Sequence, residues 1–161
     1  MTEKPDVLIQ MACTAPAGTE DTLQAAAAAV AGFVCPLVAE GQVWVCGFRM
    51  SDDAEVQSLN KKFRSKDKPT NVLSFPADAD MQMPDEPYYL GDVIFALETI
   101  QAEAASQKKT FENHLKHLAV HGLLHLYGYD HIHDDDAAVM ETLEIDILKA
   151  LNISNPYNDE S

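Results

Sequence analysis

The stretch FENHLKHLAVHGLLHLYGYDH, Phe111 to His131, decides how the rest of the chain is read. All six histidines of the protein, His114, His117, His121, His125, His131 and His133, fall in this window or two residues beyond it. At about 100° per residue, the first four share an arc of roughly 80° on one helix. The intervening residues are apolar nearly all round, which predicts a helix over Phe111–Tyr127 that is buried on most sides. A buried helix with a histidine stripe needs something for those nitrogens to bind.

Bond lengths limit which of them can share an ion. Zinc–imidazole bonds are about 2.0–2.1 Å, so ligating nitrogens lie a few ångströms apart. His121 and His125, one turn apart, satisfy this. His117 and His125 are separated by about 12 Å of helix rise, so a straight helix cannot supply both. Gly128 offers the left-handed residue that ends a helix, and the returning chain can bring His131 alongside. The expected ligands are therefore His121, His125 and His131, with His133 as the reserve third ligand. His114 and His117 are expected to hydrogen-bond neighbours or face solvent, with contact to a ligand or substrate as the functional alternative. Asp130 is a candidate to orient a ligand or the turn, and Asp134, Asp135 and Asp136 are expected to cap the following helix.

Three neutral imidazoles leave the fourth tetrahedral position open, as in catalytic zinc sites, where bound water reaches a pKa of about 7. The spacing matches the metzincin protease pattern HExxHxxGxxH. Here Gly122 stands in place of the glutamate that would accept the water's proton, so peptide hydrolysis is not expected. Met140 follows at helical spacing and reads as core.

Working outward, strands are expected at Val7–Met11, Val43–Met50, Asn71–Phe75 and Asp92–Ala96. Helices are expected from Thr19, with Leu23, Ala27, Val30 and Val34 on one face, and from Asp52 through about Lys62, opened by a capping box of Asp52 and Glu55. Further helices are expected at Glu98–Lys108 and at Asp135–Leu151, the last with Met140, Leu143, Ile147 and Leu151 buried. The segment ADADMQMPDEPYYL reads as a solvated loop. The result is a single α+β domain over residues 1–151, with a mixed sheet of about four strands, and a frayed polar tail over 152–161. A chain of 161 residues is long enough to bury one core.

The three cysteines, Cys13, Cys35 and Cys46, are widely spaced and odd in number, which fits a reducing cytoplasm and buried thiols. The start MTEKPDVLIQMA lacks the pattern of a secretory signal, and no apolar run has the length of a membrane span. Formal net charge is −15, which repels nucleic acid over most of the surface. The exception is the octet KKFRSKDK, Lys61 to Lys68. A basic patch on an acidic protein suits one anionic group held at one place. Beside a zinc ion, the planar guanidinium of Arg64 suits a phosphodiester, whose transition state spreads charge over several oxygens. Arg64 is expected just beyond the second helix, with Lys66 and Lys68 giving weaker guidance to substrate.

KDKPTNVLSFP (Lys66–Pro76), LGDV (Leu90–Val93) and HGLLHLYGYDH together resemble the YbeY family of bacterial endoribonucleases, over roughly residues 45–150. The resemblance implies a zinc-dependent, cytoplasmic enzyme acting on single-stranded RNA, in maturation of the small-subunit rRNA 3′ end and in ribosome quality control. It also implies His121, His125 and His131 as metal ligands and Arg64 as a functional arginine near the metal. Ni²⁺ or another transition metal suits imidazole as well. The acidity of the chain points to a ribosomal particle or ribosomal protein that positions the RNA, with no role for DNA or a membrane. The rival expectation is a non-catalytic ribosome-assembly factor whose zinc is structural, with His133 closing the shell. Hydrolysis of a small substrate is a third.

Overall fold

Three strands run parallel and a fourth returns against them. In the computed structural model, which describes residues 6–34, 44–68, 70–78, 80, 82–83, 86–127 and 134–153, β1 (Asp6–Met11) pairs in parallel with β2 (Trp44–Ser51). Strand β2 pairs in parallel with β4 (Tyr88–Ala96), and β3 (Val72–Pro76) runs antiparallel along the far side of β4. The order β1-β2-β4-β3 makes β1 and β3 the sheet edges. Helix α1 (Thr19–Phe33) connects β1 to β2, and α2 (Asp53–Arg64) connects β2 to β3. After β4 come α3 (Leu97–Ser106), α4 (Phe111–Leu126) and α5 (Asp134–Ala150). The expected α+β domain with a four-stranded mixed sheet is what forms.

Alternation along the strands assigns the two faces. Val93 and Phe95 of β4 and Phe48 and Met50 of β2 join Leu23, Ala27 and Val30 of α1 in the main core. Leu115 and Leu123 of α4 and Met140, Ile147 and Leu148 of α5 complete it. Leu143 and Leu151, expected on the buried stripe of α5, are half-buried against this core, as is Val34. On the opposite face, Val56 of α2 packs with Leu73, Ile94 and Ala96, flanked by Leu59 and Phe75. Helix α2 lies over β3 and β4, and beside it the sheet keeps an open groove.

Three sequence expectations need correction. Strand β4 begins at Tyr88, so Tyr88–Leu90 are strand residues and not the end of a loop. Its pairing with β2 shifts register between Val45 and Cys46, where Tyr89 and Gly91 are the successive partners. That bulge breaks the alternation by which the strand would have been recognised. Gly91 has φ +132°, and a Cβ there would stand 2.3 Å from the Phe75 carbonyl oxygen, so glycine is required. Second, α2 includes Arg64 in its last turn, and Ser65, with φ 58°, ends it. Lys61, Lys62 and Arg64 thus lie where positive charge offsets the helix dipole. Third, Asp52 accepts from the Glu55 amide at 2.8 Å as a cap should, but the Glu55 carboxylate is turned to Arg49 instead of completing a reciprocal box. Arg49 donates to both Glu55 oxygens, at 2.5 and 2.9 Å, tying α2 to β2.

Burial pushes the Cys46 thiol up to about 12, with the nearby Asp92 charge adding to it. Cys46 behaves as a small apolar residue, Cys13 is half-buried, and Cys35 lies outside the described residues. The tail expected over 152–161 is described only through Ile153. Among the described residues, no helix is long and apolar enough to cross a membrane.

Candidate metal centre

Helix α4 opens on Thr110, whose hydroxyl oxygen accepts from the Asn113 amide at 3.1 Å. It runs between the sheet on one side and α5 on the other, as its apolar circumference requires. Gly122 faces the sheet. A Cβ at this position would stand 2.8 Å from Val93 Cγ1 and 3.2 Å from Ser74 Oγ, so a glutamate has no room here. The Ser74 hydroxyl donates to the Gly122 carbonyl at 3.1 Å, fixing β3 to α4 beside His121. The residue read from sequence as a missing protease base is the contact point of helix and sheet.

The histidines lie on the other flank. His121 and His125 approach with their Nε2 atoms 3.1 Å apart. Two nitrogens bound to one tetrahedral zinc stand about 3.3 Å apart, given zinc–nitrogen bonds of about 2.0–2.1 Å. Behind His121, its Nδ1 meets the Glu144 carboxylate at 3.3 Å, and His117 Nε2 meets the other oxygen of the same carboxylate at 2.6 Å. Glu144 comes from α5 and has no exposed surface. Burial alone would raise its pKa. The hydrogen bonds from His117 and His121, and the electrostatic attraction of those two rings, outweigh burial and hold it down to about 2. An ionised carboxylate can only accept at Nδ1, so it favours the tautomer with the proton there and the Nε2 lone pair directed at His125.

These residues fit a divalent transition metal. The two imidazoles meet edge-on (ring centroids 4.7 Å apart), and a buried anion behind one of them raises its basicity. Among the described residues, no group of three or more histidine, cysteine or acidic side chains is arranged as a complete ligand set. The expected third ligand His131, the reserve His133, the turn residue Gly128 and Asp130 all lie outside the described residues. Helix α5 starts at Asp134, so Asp134–Asp136 form its first turn.

His114 and His117 hydrogen-bond to neighbours, as expected. His114 is buried, with Nε2 2.9 Å from Glu103, which also accepts from the Asn71 side chain at 3.0 Å. Burial lowers the His114 pKa more than Glu103 raises it, so this imidazole is neutral and joins α3 to α4. His117 shares its carboxylate with His121, which ties both rings to α5. Glu144 was not anticipated. Its signal was a lone carboxylate spaced four residues from both Met140 and Leu148, in line with the apolar stripe of α5.

Arg64 is joined to this centre through the backbone. Its Nη2 donates to the Ser74 carbonyl at 2.7 Å, and the Ser74 hydroxyl in turn holds α4 at Gly122. The guanidinium is exposed and stands 5.9 Å from the centre of the Phe75 ring. Lys66 and Lys68 follow on an exposed turn pinned to α2. The Lys66 amide donates to the Asn60 carbonyl at 3.3 Å, and the buried Asn60 side chain donates to the Lys68 carbonyl at 2.9 Å. Lys61 is 3.8 Å from Asp67.

The sequence model of the endoribonuclease YbeY family matches residues 19–152 of this chain. The chain belongs to the endoribonuclease YbeY family. A curated member from Bradyrhizobium diazoefficiens is 50% identical over 144 residues, which covers 88% of this chain and 77% of the relative. The member from Nitrobacter winogradskyi is 44% identical over 156 residues, 94% of this chain and 80% of its own length. That from Paramagnetospirillum magneticum is 54% identical over 114 residues, covering 69% and 70%. The solution structure of TM1509 from Thermotoga maritima is similar in fold, with a TM-score of 0.55 at 20% identity over 94% of this chain and 99% of that one.

Proposed function

We propose that this protein is a metal-dependent endoribonuclease that hydrolyses phosphodiester bonds in single-stranded RNA. The observation that carries the reading is the convergence of the His121 and His125 Nε2 atoms, 3.1 Å apart, with the buried Glu144 carboxylate behind His121. Family membership supports the reaction class. We extend the resemblance to its setting: cytoplasmic maturation of the small-subunit rRNA 3′ end and ribosome quality control, with a ribosomal particle or ribosomal protein presenting the RNA. A net charge of −15 supports such help, since the surface as a whole repels free RNA.

In this mechanism His121, His125 and His131 would hold one Zn²⁺, or another transition metal in its place. When bound, the ion supplies a Lewis acid for a phosphate oxygen and a more acidic water. Glu144 keeps the proton of His121 on Nδ1 and fixes the ring's direction, while His117 steadies Glu144 from the other side. Arg64, held by the Ser74 carbonyl, keeps further N–H groups for a phosphate and offsets the negative charge that develops on its oxygens. Lys66 and Lys68 draw the flanking phosphates toward this end of α2.

The test is cleavage of an end-labelled single-stranded RNA by zinc-loaded protein, beside identically purified His125→Ala and Arg64→Ala proteins. Cleavage by the wild type alone is expected, with His125→Ala also failing to retain metal. Equal activity in all three preparations would indicate a contaminant. A fully inactive wild type that still binds zinc would favour the non-catalytic assembly factor.

A further inference from the structure

The open face of the sheet carries a groove of about 800 Å³ between β1 and α2, lined by Leu8, Leu59, Phe63, Phe75, Asp92 and Ile94 among others. Its walls are apolar and unusually open to solvent: Leu8 is 64% exposed and Phe63 58%. The aromatic wall is built as a pair. The Phe63 and Phe75 rings meet edge to face, with centroids 5.5 Å apart. Cations border both: Lys62 Nζ is 5.2 Å from the Phe63 ring centre, and the Arg64 guanidinium is 5.9 Å from that of Phe75.

The charges are arranged unequally between rim and floor. On the floor, Arg49 is committed to Glu55 through two hydrogen bonds, and Asp92 accepts from the Tyr89 hydroxyl. Gly47 leaves room for Asp92 to lie across it, because a Cβ at position 47 would stand 2.1 Å from Asp92 Oδ1. Among the described residues, the floor therefore offers a carboxylate and no uncommitted cation, which disfavours phosphate there. The rim carries Lys62 and Arg64 on a chain that is acidic elsewhere. A ligand that suits both has a flat, uncharged aromatic part for the groove and an anionic part for the rim.

We propose that Phe63 and Phe75 form a stacking site for one base of the single-stranded RNA substrate, next to the phosphate held by Arg64. This rests on the reading of the chain as an endoribonuclease. Strand β3 is a sheet edge, with α4 and its histidines on one face and the groove on the other. Arg64 sits at that edge, on the Ser74 carbonyl. A strand of RNA passing over the edge places a phosphate at Arg64 and a neighbouring base in the groove. Phe63 is then a substrate-positioning residue, and its ring face acts on any base, because every base has a π-face.

The experiment measures fluorescence anisotropy of labelled 2′-O-methyl RNA pentamers with zinc-loaded, full-length protein. One pentamer carries bases throughout and the other has the same backbone without bases. The wild type is expected to bind the base-bearing strand about tenfold more tightly. Phe63→Leu, at an exposed position, keeps the fold and an apolar wall but is expected to lose most of that preference, while Phe63→Tyr keeps it. Equal binding of the two strands by the wild type, no binding of either, or an undiminished preference in Phe63→Leu overturns the stacking site. Cleavage of unmodified RNA is read in parallel. Base-dependent binding without cleavage removes the nuclease reading and leaves the stacking site standing, and cleavage without base preference does the reverse.

Discussion

Glu144 divides its two oxygens between His117 and His121 in a place with no access to water. Replacing it with glutamine keeps the shape but removes the charge that fixes the His121 tautomer. We expect Glu144→Gln to lower zinc affinity by about 10- to 100-fold, read by competition with a chromophoric chelator; unchanged affinity would remove Glu144 from the site. Gly122 is the other residue on which the centre depends. A glutamate side chain in its place would push into Val93 and Ser74 and bury a charge, so Gly122→Glu should cost more than about 3 kcal/mol, seen in urea unfolding. The sequence made the histidine pair legible because spacing on one helix is a local property. It left Glu144 unread because the carboxylate acts across two helices, and a single acid in an apolar stripe looks like an edge residue. Arg64 was legible by type and neighbourhood, but its tie to the Ser74 carbonyl belongs to tertiary structure.

Elements were legible where one signal governed them. The Asp52 cap opened α2 as read, and Asp52→Ala should cost about 1 kcal/mol by the urea midpoint, with an unchanged denaturant slope. The end of α2 was read too early because the basic run resembled a connection. Its cations instead belong to the last turn, near the negative end of the helix dipole. The start of β4 was missed for the reason already given: a glycine and a bulge interrupt a two-residue period. The Arg49–Glu55 pair, which fastens α2 to β2, makes a pH-dependent contribution. Hydrogen bonding to Arg49 is the largest influence on Glu55 and lowers its pKa in the fold, despite partial burial. The unfolded chain therefore takes up the proton first as pH falls. The stabilisation is complete above the ordinary carboxylate value of 4.5 and is lost as pH drops through the lower folded value. The stability difference between wild type and Glu55→Gln should shrink accordingly on acidification. A difference that stayed constant down to the acid limit would show that the pair is not linked to folding.

At the scale of the molecule, charge is the governing fact. A protein of net charge −15 that binds RNA must do so through a small footprint. With Arg64, Lys66 and Lys68 as the contacts, the plot of log affinity against log salt for single-stranded RNA should be no steeper than about −2. A much steeper slope would mean that phosphates are held elsewhere. The α+β class with its mixed sheet was readable, since the strands, the helices and the buried histidine helix each leave a periodic trace. The groove was not, because it is defined by which of the described helices leaves part of the sheet face open, a tertiary property. The edge strand β3 also bears on how the molecule keeps apart from its own copies. A free row of backbone carbonyls invites a second strand to pair with it, and here the guanidinium of Arg64 occupies the Ser74 carbonyl while Pro76 withholds an amide. The arginine proposed to hold the substrate phosphate would thus also block a seam along which two molecules could zip together. Arg64→Ala protein should show concentration-dependent association in sedimentation velocity that the wild type does not.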